Sequence, residues 1–382
     1  MMAMAAWVKA ALKVQSNDKL FDKLAHKGED SEIIQYSLAH FGVLPYGATQ
    51  IGYVHYDPQN EYGCKKTRLE PYSQDDLQPI LLVKRGQCEF IDKARNAQFM
   101  GAALLLIAND KEEDISKIYA IALHDGARAK IPTLIIGKAD GEAMAEVLMD
   151  ADKQTAQTVV VQFTMDIPKS NDVSITVVLG VMDRLGYNFL GSFKEMAADL
   201  DGKRFKIGYL HYFDTCDKCL PELVAKSCLD SEGKYCLFTS DNGKEAMKTL
   251  LWQKCALNQQ EFRSNFMAFA ERYSEDCLSR PLSGKDLYEC NVRIGKAFVP
   301  THVSRVDTCV TESLLSPYNL FEEDGKTMRD AKIKEFPMVI VNNQTIDGSL
   351  TSDNIFQAIC FAFVSPPPVC SFIRGKYMYR SE

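Results

Sequence analysis

Along the first third of the chain, apolar residues come in short bursts separated by polar, glycine-marked turns. Residues 51–56 alternate as a half-buried strand does. The run Pro79-Ile-Leu-Leu-Val-Lys84 is closed by Arg85-Gly86 and predicts a strand ending in a tight turn. From residue 90 the period changes. Phe90, Ala94, Ala97 and Met100 share one helical face, and Gly101 ends that helix. Residues 102–108 (AALLLIA) predict a second buried strand, 109–116 a polar loop, 131–136 a third strand, 139–149 a helix and 159–165 an alternating strand.

Ile167-Pro168-Lys169-Ser170-Asn171-Asp172 is a polar, proline-marked joint and predicts a domain boundary. Beyond it, residues 173–179 and 205–212 read as strands and 193–200 as a helix. A helix opens at Cys216, and residues 228–330 are mostly helical, with segments at 244–253, 260–273 and 285–294. Pro337–Asn342 is a strand, Asn342-Asn343-Gln344 a turn, 345–348 the return strand and 353–363 a last helix. The expected class is α/β (α+β): a β-rich first domain over residues 23–166, then a second over 167–365 with a helical insertion at about 226–332. Residues 366–382, opened by a proline triplet, read as a tail, and residues 1–22 as a lead or signal remnant. Met1–Val8 is apolar, but Lys9 and Lys13 break the run that a secretory signal needs.

Composition narrows the class. The 382 residues, 46% hydrophobic and 25% charged, suit two globular domains and exclude collagen-like or coiled-coil chains. The formal charge is −7, with no block of Lys or Arg, so nucleic acid is not an expected partner. No apolar run reaches the ~18 residues that suggest a membrane span. Ten of the 12 cysteines follow residue 215, which predicts a disulfide framework in an oxidising compartment. A zinc site wants two CxxC pairs or CxxC with HxxxH. Only Cys216-Asp217-Lys218-Cys219 has that spacing and no histidine pair completes it, so neither metal nor cofactor is expected.

The stretches ILLVKRGQCEFIDKARNAQFMGAALLLIAND and KIPTLIIGKADGEAMAEVL resemble the protease-associated (PA) domain, element by element. FGVLPYGATQIGYVHYD before them, then HYFDTC, KYC and FPMVIVNNQTIDG with IFQAIC after them, resemble the luminal region of plant-type vacuolar sorting receptors in the same order. The resemblance covers roughly residues 39–363 and implies a PA domain followed by a thioredoxin-like domain. It implies a noncatalytic protein of the secretory lumen, of vacuolar or endosomal compartments, or of the extracellular surface, with protein or peptide cargo as partner. In such receptors the Arg-Gly-x-Cys-x-Phe loop helps bind cargo, which points to Arg85, Gly86, Gln87, Cys88, Glu89 and Phe90, and to a Cys64–Cys88 bridge. Gln87 stands where the family often has Asp, and Glu89 where an aromatic is common, so cargo preference is expected to differ. No epidermal-growth-factor repeat or membrane span follows residue 370, which favours a different expectation, a structural subunit with neighbouring subunits of an assembly as partners.

No GxSxG, HExxH or zinc-peptidase constellation occurs, so protease chemistry is not expected. The thioredoxin-like resemblance implies that Pro337 is a cis proline facing Cys216 and Cys219. Cysteines at a helix start would favour a thiolate, so a thiol–disulfide oxidoreductase, with Cys216 attacking and Cys219 resolving, stands beside a purely structural bridge. Asn343-Gln344-Thr345 is a glycosylation sequon lying on a turn that Asn342-Asn343 also favours by itself.

Overall fold

A computed structural model describes residues 10–16, 18–24, 32–67, 77–118, 129–150, 159–200, 202–238, 242–315, 320–331, 333, 335–346 and 348–371. By Cα proximity the chain divides into two units, residues 1–170 with 346–382, and residues 171–345.

The first unit is built on an eight-stranded sheet. Its elements are β1 (Ala10–Ser16), α1 (Asp18–Leu24), β2 (Ile33–Ile34), β3 (Tyr36–Leu38), β4 (Thr49–His55), β5 (Gln78–Lys84), α2 (Phe90–Met100), β6 (Leu104–Ala108), β7 (Thr133–Ile136), α3 (Lys138–Asp150) and β8 (Val160–Met165). The strand order is β2-β1-β8-β4-β5-β6-β7-β3, with β4 to β7 parallel and the flanking pairs antiparallel. The centre of a parallel sheet is covered on both faces, which is why β5 and β6 read as continuous apolar runs rather than alternating ones. Leu81, Val83, Leu105, Ile107 and Ile135 form one buried cluster with Ile91, Ala94, Ala97 and Met100 of α2. On α3, Gly141 lies so close to β6 that an added Cβ would stand 2.2 Å from the Ala108 Cβ.

Residues 10–16, expected to belong to a lead, are instead strand β1, paired antiparallel with β8 from Ala10↔Met165 onwards. Leu12 and Val14 are buried while Lys13 is not, so Lys13 marks the wet face of an alternating strand. Residues 1–9 lie outside the described residues. Helix α11 (Ser352–Ala362) was expected to end the second domain but groups with the first unit, where the Leu44 N–H donates to Asn354 Oδ1. A Cys360–Cys370 disulfide then ties down the start of the expected tail.

The second unit has a four-stranded sheet ordered β10-β9-β11-β12. It runs β9 (Val173–Leu179), α4 (Arg184–Leu200), β10 (Phe205–His211), α5 (Pro221–Ser227), α6 (Gly243–Leu257), α7 (Gln260–Asp276), α8 (Gly284–Gly295), α9 (Val303–Leu315), α10 (Glu322–Asp330), β11 (Met338–Val341) and β12 (Gln344–Ile346). β9 pairs parallel with β10 and antiparallel with β11. In the helical insertion Trp252, Phe262, Phe266, Phe269 and Tyr273 are all fully buried, with Phe266 packed on Tyr209 of β10 and Tyr273 on Tyr187 of α4, and the insertion is stapled by Cys255–Cys309 and Cys277–Cys290. Gly295 admits the Trp252 ring, which an added Cβ would meet at 2.2 Å. The twelve cysteines form six disulfides and none is free. Among the described residues no helix is long and apolar enough to cross a membrane.

Candidate functional site

Strands β4, β5 and β6 point their carboxyl ends the same way, and open α/β sheets present ligands at that edge. The Arg85–Phe90 segment leaves β5 there and turns into α2. Gly86 has φ 113° and Gln87 φ 64°, so the turn passes through left-handed backbone that suits Gly86 and is uncommon for a residue such as Gln87. Gly86, Gln87 and Glu89 are exposed, whereas Arg85, Cys88 and Phe90 are half-buried.

Three sets of contacts hold this turn. Cys88 is bonded to Cys64. From the first turn of α2, the buried Lys93 sends its Nζ to the Tyr62 carbonyl at 2.5 Å and to the Gly86 carbonyl at 2.6 Å. One turn on, Asn96 Nδ2 donates to the Gly63 carbonyl at 3.0 Å. Lys93 and Asn96 are thus the bolts between the helix and both loops. Neither was singled out as a site residue from sequence, where only their presence in the helix matched the family pattern. Burial pulls the Lys93 ammonium down from the usual lysine range to about 8.

Arg85 is already engaged. Its Nη1 donates to Asn109 Oδ1 at 2.8 Å, its guanidinium lies 3.5 Å from Asp110 and 3.4 Å from Glu113, and its Cζ sits 5.7 Å from the centre of the Phe90 ring. The polar loop after β6 supplies all three polar partners. Beside it, a cavity of about 190 Å³ opens between Tyr56, Tyr62, Lys84 and Arg85 on one side and Lys138 and Glu142 of α3 on the other. Lys84 is paired with Glu61 at 2.6 Å, a contact that raises the ammonium and lowers the carboxyl.

The CxxC stands elsewhere. Cys216 and Cys219 are bonded to each other, but α5 starts only at Pro221. The expected position of Cys216 at a helix start is therefore corrected, because Pro at the first helical residue sets the boundary beyond both cysteines. The Phe336–Pro337 bond is cis. The β11–β9 register pairs Met338 with Val178, which sets Pro337 opposite Leu179 and Phe336 opposite Gly180. An added Cβ on Gly180 would stand 2.2 Å from the Phe336 ring. Pro337 thus faces the turn after β9, whereas the CxxC follows β10 on the far side of β9. That turn ends at Asp183, which is buried, accepts from the Gly186 N–H at 2.8 Å and is pushed up by burial to about 7. Asn343 is exposed at the turn between β11 and β12, and both Asn342 and Asn343 have positive φ. Among the described residues no group of His, Cys, Asp and Glu gathers as a metal site would need.

Two family models match the sequence: "PA domain" over residues 50–144 and "Vacuolar sorting receptor thioredoxin-like domain" over residues 178–360. The chain carries a PA domain followed by a vacuolar sorting receptor thioredoxin-like domain. Vacuolar-sorting receptor 1 of Pisum sativum is 25% identical over 394 residues, covering 95% of this chain and 61% of its own length. Vacuolar-sorting receptor 5 of Arabidopsis thaliana is 23% identical over 376 residues, covering 87% of this chain and 58% of its own length. The chain thus spans about three fifths of these relatives. Among solved structures, the oxidoreductase DsbA from Xylella fastidiosa aligns with 55% of this chain and 90% of its own at 7% identity and a TM-score of 0.31. The turn at 85–90 belongs to the PA domain, and the CxxC and cis proline to the thioredoxin-like domain.

Proposed function

We propose that this chain is a noncatalytic, peptide-binding region of a protein that works in the lumen of the secretory pathway. Its PA-domain turn at 85–90 receives an extended segment of a protein cargo. The observation that carries this reading is the state of that turn. It exposes Gly86, Gln87 and Glu89 while a disulfide and the two-pronged Lys93 contact hold its backbone. A turn held this way loses little freedom on binding, which favours affinity. Six disulfides agree with an oxidising lumen, and the two relatives from Pisum sativum and Arabidopsis thaliana are named as sorting receptors. Glycosylation at Asn343, exposed on its turn, belongs to the same proposal.

Because Arg85 is held by Asn109, Asp110 and Glu113, specificity falls to Gln87 and Glu89, which reach solvent. The test is an array of immobilised peptides taken from secreted proteins, probed with the full chain and with a Gln87→Ala/Glu89→Ala variant. Wild type is expected to select a subset of peptides, and the variant to lose or change that subset. Identical selection by both would remove the turn from recognition.

A further inference from the structure

The cysteine pair at residues 216 and 219 is left unused by peptide binding on the PA domain, and its surroundings differ from those of the other bridges. It closes a sequence separation of 3, whereas the others close 8, 10, 13, 24 and 54. A short loop gains least from being closed, so this bridge contributes least to stability. Both of its cysteines are half-exposed, and Asp217 and Lys218 between them are exposed. Every bridge but this one and Cys64–Cys88 has at least one fully or nearly fully buried cysteine. Cys64–Cys88 is itself overlaid by Lys93, whose Nζ lies 3.8 Å from Cys64 Sγ.

The loop keeps its base without the bridge. The Asp214 and Cys236 backbones exchange two hydrogen bonds of 2.8 and 2.9 Å, and the Cys216 N–H donates to the Gly233 carbonyl at 2.7 Å. Cys236 is locked to Cys228 in a buried disulfide. Opening Cys216–Cys219 therefore frees only the tip, and Cys216 stays pinned where the pair can close again. Leu220, next to Cys219 in the chain, is 74% exposed, and Leu223 in the first turn of α5 is 42% exposed.

We propose that Cys216–Cys219 is a thiol–disulfide exchange site, reduced by a luminal thiol and reoxidised by that thiol's disulfide form, without unfolding of the domain. An incoming thiolate attacks Cys219 Sγ, because the Cys216 backbone is packed against Gly233 whereas Cys219 leads into the exposed Leu220. A bond forms between the incoming sulfur and Cys219, the Cys216–Cys219 bond breaks, and Cys216 leaves as a thiolate that takes a proton. A second reductant thiol then attacks the incoming sulfur, forms the reductant's own disulfide and releases Cys219. Two electrons pass from the two reductant thiols to the pair, and two protons end on Cys216 and Cys219.

The experiment holds the oxidised full chain in glutathione buffers of rising reduced-to-oxidised ratio, with and without a trace of thioredoxin kept reduced by its reductase and NADPH. Free thiols are alkylated and mapped by mass spectrometry, and amide exchange of residues 205–211 is followed in parallel. At the ratio that opens half of Cys216–Cys219, fewer than about a tenth of each other pair should be open, with exchange in β10 unchanged. Opening by glutathione alone makes a small thiol the reductant, and opening only with thioredoxin makes it a protein dithiol. Opening of Cys64–Cys88 or a buried pair at the same or a lower ratio, or faster exchange in β10 once Cys216–Cys219 opens, would overturn the proposal. Cys216→Ser, which leaves Cys219 as a free thiol, should take up glutathione from its oxidised form several-fold faster than Cys219→Ser. The reverse order would overturn the assignment of the attacked sulfur.

Discussion

Lys93 is the side chain on which the recognition turn depends most, and replacing it with Met keeps the stem and removes the charge. The exchange strips the Lys93 donor from two backbone carbonyls, Tyr62 and Gly86, of which Gly86 keeps the Cys88 N–H at 2.9 Å. Leaving each short of a donor costs roughly 1–3 kcal/mol. Against that, the depression of Lys93 from 10.5 to about 8 means that holding the ammonium in the fold costs about 3 kcal/mol, which the variant no longer bears. The expected net loss at pH 7 is up to ~3 kcal/mol. The pH dependence separates the two contributions. Between pH 8 and 10.5 the unfolded chain holds the Lys93 proton and the folded one releases it, so wild type gains stability as pH rises through that window. The variant has no such gain, and its deficit should widen by up to ~3 kcal/mol across the window. Urea unfolding of both proteins from pH 7 to pH 10 measures this, with amide exchange at residues 85–90 as a second readout. A variant that parallels wild type at every pH, with unchanged exchange at the turn, would refute the bolt.

Four further outcomes follow. Replacing both Cys64 and Cys88 with Ser removes a bridge of sequence separation 24 and should lower stability by about 3–4 kcal/mol in urea unfolding, with faster proteolysis of the 85–90 turn. Gly141→Ala drives a Cβ into Ala108 and should cost roughly 1–3 kcal/mol, measured the same way, because α3 must back away from β6. His211 is fully buried, bonded through Nε2 to Gln253 at 3.2 Å, and pulled down by burial and by Lys254 to about 3, so it stays neutral in the fold. The unfolded chain protonates it below pH 6.5, so its contribution is complete above that pH and fades as pH falls. Wild type should lose up to ~1.4 kcal/mol per pH unit against His211→Asn from pH 6 to 4. Asp183 works in the opposite sense, since a carboxyl raised from 3.8 to about 7 holds its proton in the fold, and stability is lost as pH rises from 4 to 7; wild type minus Asp183→Asn should show that fall in unfolding curves.

Much of this was legible where one period ran without interruption. β9 falls at residues 173–179 and α2 at residues 90–100, both as the sequence predicts, because a β-branched apolar run and a repeating helical face mark them. β1 was missed because Lys9 and Lys13 look like a break in an apolar lead, although period two already carries Lys13 outward. Helix α4 starts at Arg184, well before the predicted residue 193, because Gly186 and Gly191 weaken the helical signal. Their use is in packing: an added Cβ on Gly191 would meet Glu271 of α7 at 3.0 Å. At the site, the exposed turn was visible in the motif, but its supports were not. Asn109, Asp110 and Glu113 sit in what reads as an ordinary polar loop, and only the folded sheet brings them to Arg85. The helix start after the CxxC was visible in Pro221, a signal outweighed by the resemblance to thioredoxin-like redox motifs.

The most direct test of peptide recognition by the PA-domain turn is hydrogen–deuterium exchange of the full chain with and without a saturating peptide chosen from the array. The account predicts added protection at residues 85–90 and in the adjoining 109–113 loop, with the thioredoxin-like strands unaltered. Protection confined to the helical insertion, or none at the turn while the peptide is bound, would contradict it.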